Sequence, residues 1–386
     1  MAGHSHWIFI GLLAVMAYPF YVNLPLAGFH RTIVPYGQQQ CTKITAPGLS
    51  YCEDAVQGKS GIAYAACDPA REKKNKVLGY DFFAQDEPIP SGKIWRLDYS
   101  KTPAEAMPMV LKGAPEDFHP LGLTLDEGLG VLLVINLPVN QDVNVVEVFR
   151  MESEAVLVHV KTIQHGSIYN PNGIQLFSNP AFTSPDGLPS FFISNDHYFT
   201  NRALKLIENF FVLPMANVMF YDARSGSVTP VIKGIAFANG VSGDHSMLFV
   251  SETNRAQVHQ YTIDSDSHHG LTLNRVRTTK VDMAVDNVEW DPKRQTLVAA
   301  GHPKGLDFMR FAMARNRSDP AVPRAKSMVV SLDVPAGKLT CLFADDGQYY
   351  GASSTGYVDH QAKVLVVTSL YEDGVLVCKQ GPEGGS

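Results

Sequence analysis

The chain has 386 residues, of which 45% are apolar and 18% charged, with a formal net charge of −6. That length holds one large domain or two medium ones, and the apolar content excludes an intrinsically disordered chain. A mildly acidic chain disfavours a nucleic-acid partner, and it is compatible with a hard cation held by oxygen ligands.

The first element in chain order is apolar. Residues Trp7 to Val22 form a run bounded by His4 and His6 before it and by Asn23 and Pro25 after it. The run sits at or below the usual minimum for a spanning helix. It reads as a signal peptide or an uncleaved signal anchor over residues 1–28, which routes the chain to the secretory pathway as an extracellular or membrane-anchored protein. The cysteines are Cys41, Cys52, Cys67, Cys341 and Cys378, none of them in a CxxC pair. A zinc ribbon or finger is therefore disfavoured. Cys41 follows the targeting segment and Cys378 precedes the C terminus. A bridge between them would join the two ends of the folded chain in an oxidising compartment. The glycosylation sequon at Asn316, Asn316-Arg317-Ser318, agrees with that compartment.

Residues 35–380 carry a loose repeat. Each copy has a polar lead-in, a short strand, a turn and then a strongly apolar strand. The copies begin near Glu53, His119, Asn172, Asn239, Asp286 and Gly351. Between them lie alternating segments, Lys93 to Leu97, Val145 to Phe149 and Val258 to Tyr261, whose period of two marks half-buried strands. The clearest helical segment is Asn201 to Phe211, and it leads into the apolar stretch Phe210 to Met215. Six copies of about four strands predict an all-β fold, a six-bladed β-propeller.

In a propeller the innermost strand of each blade starts near the central channel, so the lead-ins converge at one mouth. The converging residues are Glu53, Asn172, Asn239, Asp286 and Asn287, all oxygen donors. Calcium takes six to eight oxygens in flexible geometry and accepts amide carbonyls, whereas zinc or copper favours His or Cys. The set therefore points to calcium. Three amides leave such an ion with residual positive charge, able to polarise a carbonyl.

Six motifs then carry a resemblance: GLSYCEDAVQ at 48–57, FHPLGLTL at 118–125, SNDHYF at 194–199, FANG at 237–240, VDN at 285–287 and GHPKG at 301–305. In order and without large gaps, they resemble the serum paraoxonase/arylesterase family. The resemblance implies a six-bladed propeller with calcium in its central tunnel. It implies a catalytic calcium on Glu53, Asn172, Asn239, Asp286 and Asn287. A second calcium would sit on Asp54 and the backbone carbonyl of Leu123, but Gly173 stands where that site's other carboxylate belongs, which leaves the second ion open. The family's terminal disulfide matches Cys41 and Cys378. The implied activity is calcium-dependent hydrolysis of small lactones and aryl esters by water.

Two departures bear on the chemistry. The positions of a His pair proposed as the family's base hold Leu121 and Leu137. The remaining candidates for a catalytic role are Glu53, His302 in the pocket wall, and His119, which lies two residues before Leu121 and on its face if the segment is a strand. His197 reads as structural. Phe210 to Met215 falls where the family carries a lipid-associated helix, so it is expected either as a lid or membrane-facing rim or as a core strand. The leucines also keep a rival expectation open: a propeller that binds a ligand without turnover, or one repurposed for a metal-assisted step in natural-product biosynthesis.

Overall fold

The computed structural model describes residues 17–266 and 270–380. The chain is built almost wholly from antiparallel strands. Six of them are innermost: β1 (Ser50–Gln57), β2 (Pro120–Asp126), β3 (Pro171–Phe177), β4 (Ala238–Gly243), β5 (Ala284–Asp291) and β6 (Ser353–Asp359). Each starts within a few residues of a lead-in read from the sequence. From β3, β4 and β5 the chain steps outward through four-stranded antiparallel meanders. The sheet begun by β2 gains a fifth, parallel strand, Val110–Lys112, and the units begun by β1 and β6 share one eight-stranded sheet. The inner strands touch one another in cyclic order, and β6 returns to β1. The sheets therefore stand around a common axis in a propeller-like arrangement.

Closure uses the start of the chain. Cys41–Ile44 pairs antiparallel with Val375–Lys379, in a register that sets Cys41 opposite Cys378. Those two cysteines form a disulfide, and Cys52 and Cys67 form a second one that was not anticipated. Cys341 is free.

The second strand of each unit is caught between neighbouring sheets. Val131–Asn136 and Ser190–Asn195 are buried at every position, which explains their near-continuous apolar sequences. One inter-sheet core joins Leu121, Leu133, Ile135 and Leu137 to Ile174, Leu176, Phe191 and Ile193 of the next unit. Near the axis, glycine replaces side-chain packing. A Cβ at Gly122 would lie 2.4 Å from the Asn172 carbonyl oxygen, and one at Gly173 would lie 2.7 Å from that of Asn239. Backbone meets backbone there, and only glycine leaves the room.

Helical segments gather over one end of the ring. They are residues 17–27, α1 (Arg202–Phe210) and α2 (Gly305–Ala312). Asn201 caps α1 by accepting from the Ala203 and Leu204 amides, 2.9 and 3.4 Å away. The Asn23 side chain donates to the Phe210 carbonyl (2.8 Å), and the Phe20 and Phe210 rings meet edge to face at 5.9 Å. Phe210 to Met215 closes α1 and turns, and the next strand starts at Ala216. Among the described residues, no helix is long and apolar enough to cross a membrane. The targeting segment read over 1–28 falls largely on residues 1–16, outside the described residues.

Candidate active site

The starts of β1, β3, β4 and β5 deliver Glu53, Asn172, Asn239 and Asp286 to the lining of one cavity of about 520 Å³. All four are buried. Asn287, the next residue along β5, belongs to the opposite face of its strand and lines a second cavity of about 150 Å³ with Asp54, Leu123 and Gly173. Its amide nitrogen donates to Glu53 Oε1 and to Thr355 Oγ1, both at 2.9 Å. Asn287 thus ties the two cavities together.

The donor set fits a hard divalent cation. Glu53 Oε2, Asn172 Oδ1 and Asn239 Oδ1 are buried and have no hydrogen-bond partner. A buried, unpartnered acceptor costs about 1–3 kcal/mol, and three of them around one cavity are accounted for by a shared positive charge. Burial first, then the Asp54 and Asp286 carboxylates, push the pKa of Glu53 well above the usual carboxylate range, against the opposing influence of Arg71 and Asn287. The described residues contain no group of three or more His, Cys, Asp and Glu side chains that could hold a metal. A metal held here would have to take amide oxygens beside the carboxylates, a donor set that would suit calcium better than a transition metal.

The second site is built differently from the expectation. Asp54 accepts from the Ala55 amide (2.9 Å) and Thr355 Oγ1 (2.8 Å), and the Leu123 amide, at 3.0 Å, meets its other oxygen. The contact between Asp54 and Leu123 therefore runs through the Leu123 N–H. Gly173 offers no ligand, and the close approach of the Asn239 backbone leaves no space for one. Burial raises Asp54 to about 6, opposed by those hydrogen bonds. Glu289, two residues after Asn287 on the same face of β5, lines the same cavity and was missed from the sequence. Burial, then Asp54, raises it to about 8.

The histidines separate clearly. His302 lines the large cavity, stacked on Phe308 with ring centroids 3.6 Å apart. Its Nε2 lies 3.3 Å from Asp286 Oδ2, while Nδ1 is buried without a partner. His119 is absent from that cavity's lining. The strand begins only at Pro120, so the two-residue periodicity does not carry back to His119, and its ring is held between Asp68 (Nδ1, 3.2 Å) and Asp117 (Nε2, 3.3 Å). Leu121 lines the large cavity and also a small one of about 20 Å³ that holds His119 and Leu137. His197 is buried between Asp196 (2.5 Å) and Asn209 (2.9 Å). Asn316 is exposed, and its side-chain oxygen accepts from the Ser318 amide at 3.1 Å.

The remaining walls are apolar. Leu78, Leu121, Phe237, Phe308 and Leu370 line the interior, and Phe20, Leu24, Leu206 and Phe210 come from the overlying helices. Arg71 also lines the cavity and was missed, because it sits in a run of charges that reads as a solvated loop.

An all-β ring with buried polar side chains at the floor of an apolar pocket defines a propeller-like protein with a concave small-molecule cavity. The arylesterase family model matches residues 75–379, and the chain belongs to that family. It is 29% identical to serum paraoxonase/lactonase 3 of Oryctolagus cuniculus, over 77% of this chain and 79% of that protein. It is also 29% identical to serum paraoxonase/arylesterase 1 of Mus musculus, over 76% of this chain and 79% of that protein. Among solved structures, a luciferin-regenerating enzyme aligns over 88% of this chain and 95% of its own, with a TM-score of 0.47 and 10% identity.

Proposed function

We propose that the protein is a calcium-dependent hydrolase of lactones and aryl esters, on a six-bladed propeller spanning residues 35–380 and made in the secretory pathway. The observation that carries the reading is the meeting of three unpartnered buried oxygens, on Glu53, Asn172 and Asn239, at one apolar pocket. Family membership supports the hydrolase class, and the names of the relatives support lactone and aryl-ester substrates. Two disulfides support an oxidising compartment. We assign one calcium, to Glu53, Asn172, Asn239 and Asp286, with Asn287, expected as a fifth ligand, bracing Glu53 through its amide nitrogen instead, and none to the Asp54 and Leu123 set, where both Asp54 oxygens already accept hydrogen bonds.

When bound, calcium supplies a Lewis acid for the ester carbonyl and for the oxyanion that develops from it. The chain's own residues do the rest. Asp286 Oδ2 lies 3.3 Å from His302 Nε2 and orients the ring electrostatically, and the unpartnered Nδ1 is the atom we assign to take a proton from attacking water. The Phe308 ring holds the imidazole plane. Glu53 orders the floor through Asn287. The apolar walls exclude bulk water and bind the hydrocarbon part of the substrate. His119, enclosed by two carboxylates, keeps the wall behind Leu121 in place. The exposed Phe20, Leu24 and Phe210 at the mouth form a rim suited to a membrane or lipid surface.

Hydrolysis of phenyl acetate and a panel of γ- and δ-lactones by purified protein, with calcium and then with EGTA, tests the reading. Calcium-dependent turnover is expected, and folded, calcium-loaded protein inert on the whole panel would overturn it. Leu121 and Leu137, which can accept no proton, favour one other reading, a propeller that binds its ligand without turnover.

A further inference from the structure

Arg71 is 4% exposed yet lines the large cavity with Glu53, Asn172 and Asp286. A guanidinium carries five N–H donors. Here the guanidinium donates from Nη2 to the Pro120 carbonyl at 2.9 Å, and Nε is buried with no acceptor. Among the described residues it forms no ion pair with any carboxylate. Burying an unpaired cation is expensive, and a neutral donor could hold Pro120 without that cost. Its field does favour the ionised form of Glu53. Once Glu53 holds calcium, however, that charge is spent on the metal and Arg71 is left without a counterion.

We propose that Arg71 is an anion-recognising group of this pocket, and that the substrate carries a carboxylate beside the bond that is broken. The inference rests on the hydrolase reading for the word substrate and on the cavity alone for the binding. The planar fork of a guanidinium matches a carboxylate with two parallel hydrogen bonds. Among the described residues lining the cavity, Arg71 is the only Lys or Arg, which suits a single negative charge rather than a phosphate dianion. The polar groups lie at the buried floor, while Phe20 and Leu24 at the mouth are 67% and 57% exposed. The ligand is therefore an amphiphile, with its acid at the floor and its hydrocarbon toward the rim.

The test compares decanoate with 1-decanol by calorimetric titration of the full chain, with calcium and with EGTA, for the wild type and Arg71→Met. The wild type is expected to bind decanoate at least about ten-fold more tightly than the alcohol in both conditions. Arg71→Met should abolish the preference and leave decanol affinity within about two-fold. A preference that persists in Arg71→Met and vanishes with EGTA places the acid on the metal and overturns the proposal, as does the absence of any preference. Should Arg71→Met not fold, Arg71→Gln keeps a donor for Pro120, removes the charge and carries the same comparison. In a second arm, kcat/KM is measured for a γ-lactone with an alkyl tail and for its carboxylated counterpart. A loss of about ten-fold confined to the acid supports the proposal, and an equal loss on both makes Arg71 a positioning residue for Pro120 and refutes it. Lack of hydrolysis by the wild type counts against the hydrolase reading, while the titration still decides the role of Arg71.

Discussion

Asn239→Leu isolates the metal-binding argument from ordinary stability. The Asn239 side chain makes no hydrogen bond to any described residue, and its Oδ1 is one of the three orphaned acceptors. Each orphan costs about 1–3 kcal/mol, so relieving all three is worth roughly 3–9 kcal/mol. Calcium at a thousand times its Kd stabilises by ~4 kcal/mol through mass action, inside that window. For a chain of this size that is a rise in Tm of about 5 °C. The assay is thermal unfolding of wild type and variant in 1 mM calcium and in EGTA. The wild type should lose that increment in EGTA. The variant should lose most of its calcium response. Its EGTA form should melt at, or up to about 4 °C above, the wild-type EGTA form, because an apolar side chain replaces an acceptor that had no partner. If the variant keeps the full calcium response, or if its EGTA form falls far below that of the wild type, Asn239 is a structural residue and the reasoning fails.

Other expectations follow from the same geometry. His302→Gln should lower kcat by about 10²-fold with calcium affinity unchanged; an unaltered kcat assigns the proton to another group. Asp359 accepts from Ser60, Gly61, Tyr99 and Ala362, and these bonds hold its pKa below the ordinary value although burial works the other way. Its stabilisation is complete above the unfolded carboxylate's pKa of ~3.9 and is lost as the pH falls through the lower folded value. Asp359→Asn should therefore cost about 2–3 kcal/mol in urea titrations at pH 7, with the gap to wild type closing near pH 3. Replacing Cys41 and Cys378 by Ala should cost up to about 6 kcal/mol by chain-entropy arithmetic over the 337-residue separation, read from the denaturation midpoint. Phe20→Ser with Phe210→Ser should reduce partitioning onto liposomes without lowering Tm; unchanged partitioning would count against a lipid-facing rim.

The parts of this molecule that could be read from the sequence are those set by local chemistry. The six lead-ins were visible because each must turn, enter a strand and stay polar, and the inner strands do begin there. The oxygen donors Glu53, Asn172, Asn239 and Asp286 were legible because convergence follows from the repeat itself. His119 was misplaced because its two-residue spacing from Leu121 crosses the start of a strand, where periodicity has no force. Glu289 lies within reach of the same periodicity, two positions after Asn287, but outside the VDN motif. Arg71 was hidden for a different reason. Its burial depends on tertiary contacts with Pro120 and Tyr80, which no local pattern records. The Cys52–Cys67 bond likewise needs the register of two paired strands.

The pairing of Cys41 with Cys378 also decides how the molecule carries mechanical load. The two residues are direct neighbours across a ladder and are covalently joined. Tension applied between the segments beyond them passes through one bond and bypasses the ring of sheets. Pulled in an oxidising medium, the ring should respond as a rigid bead of almost no extension. Pulled after reduction, the strand Cys41–Ile44 would peel first, bond by bond, and the ring would open at the seam where the chain's two ends meet.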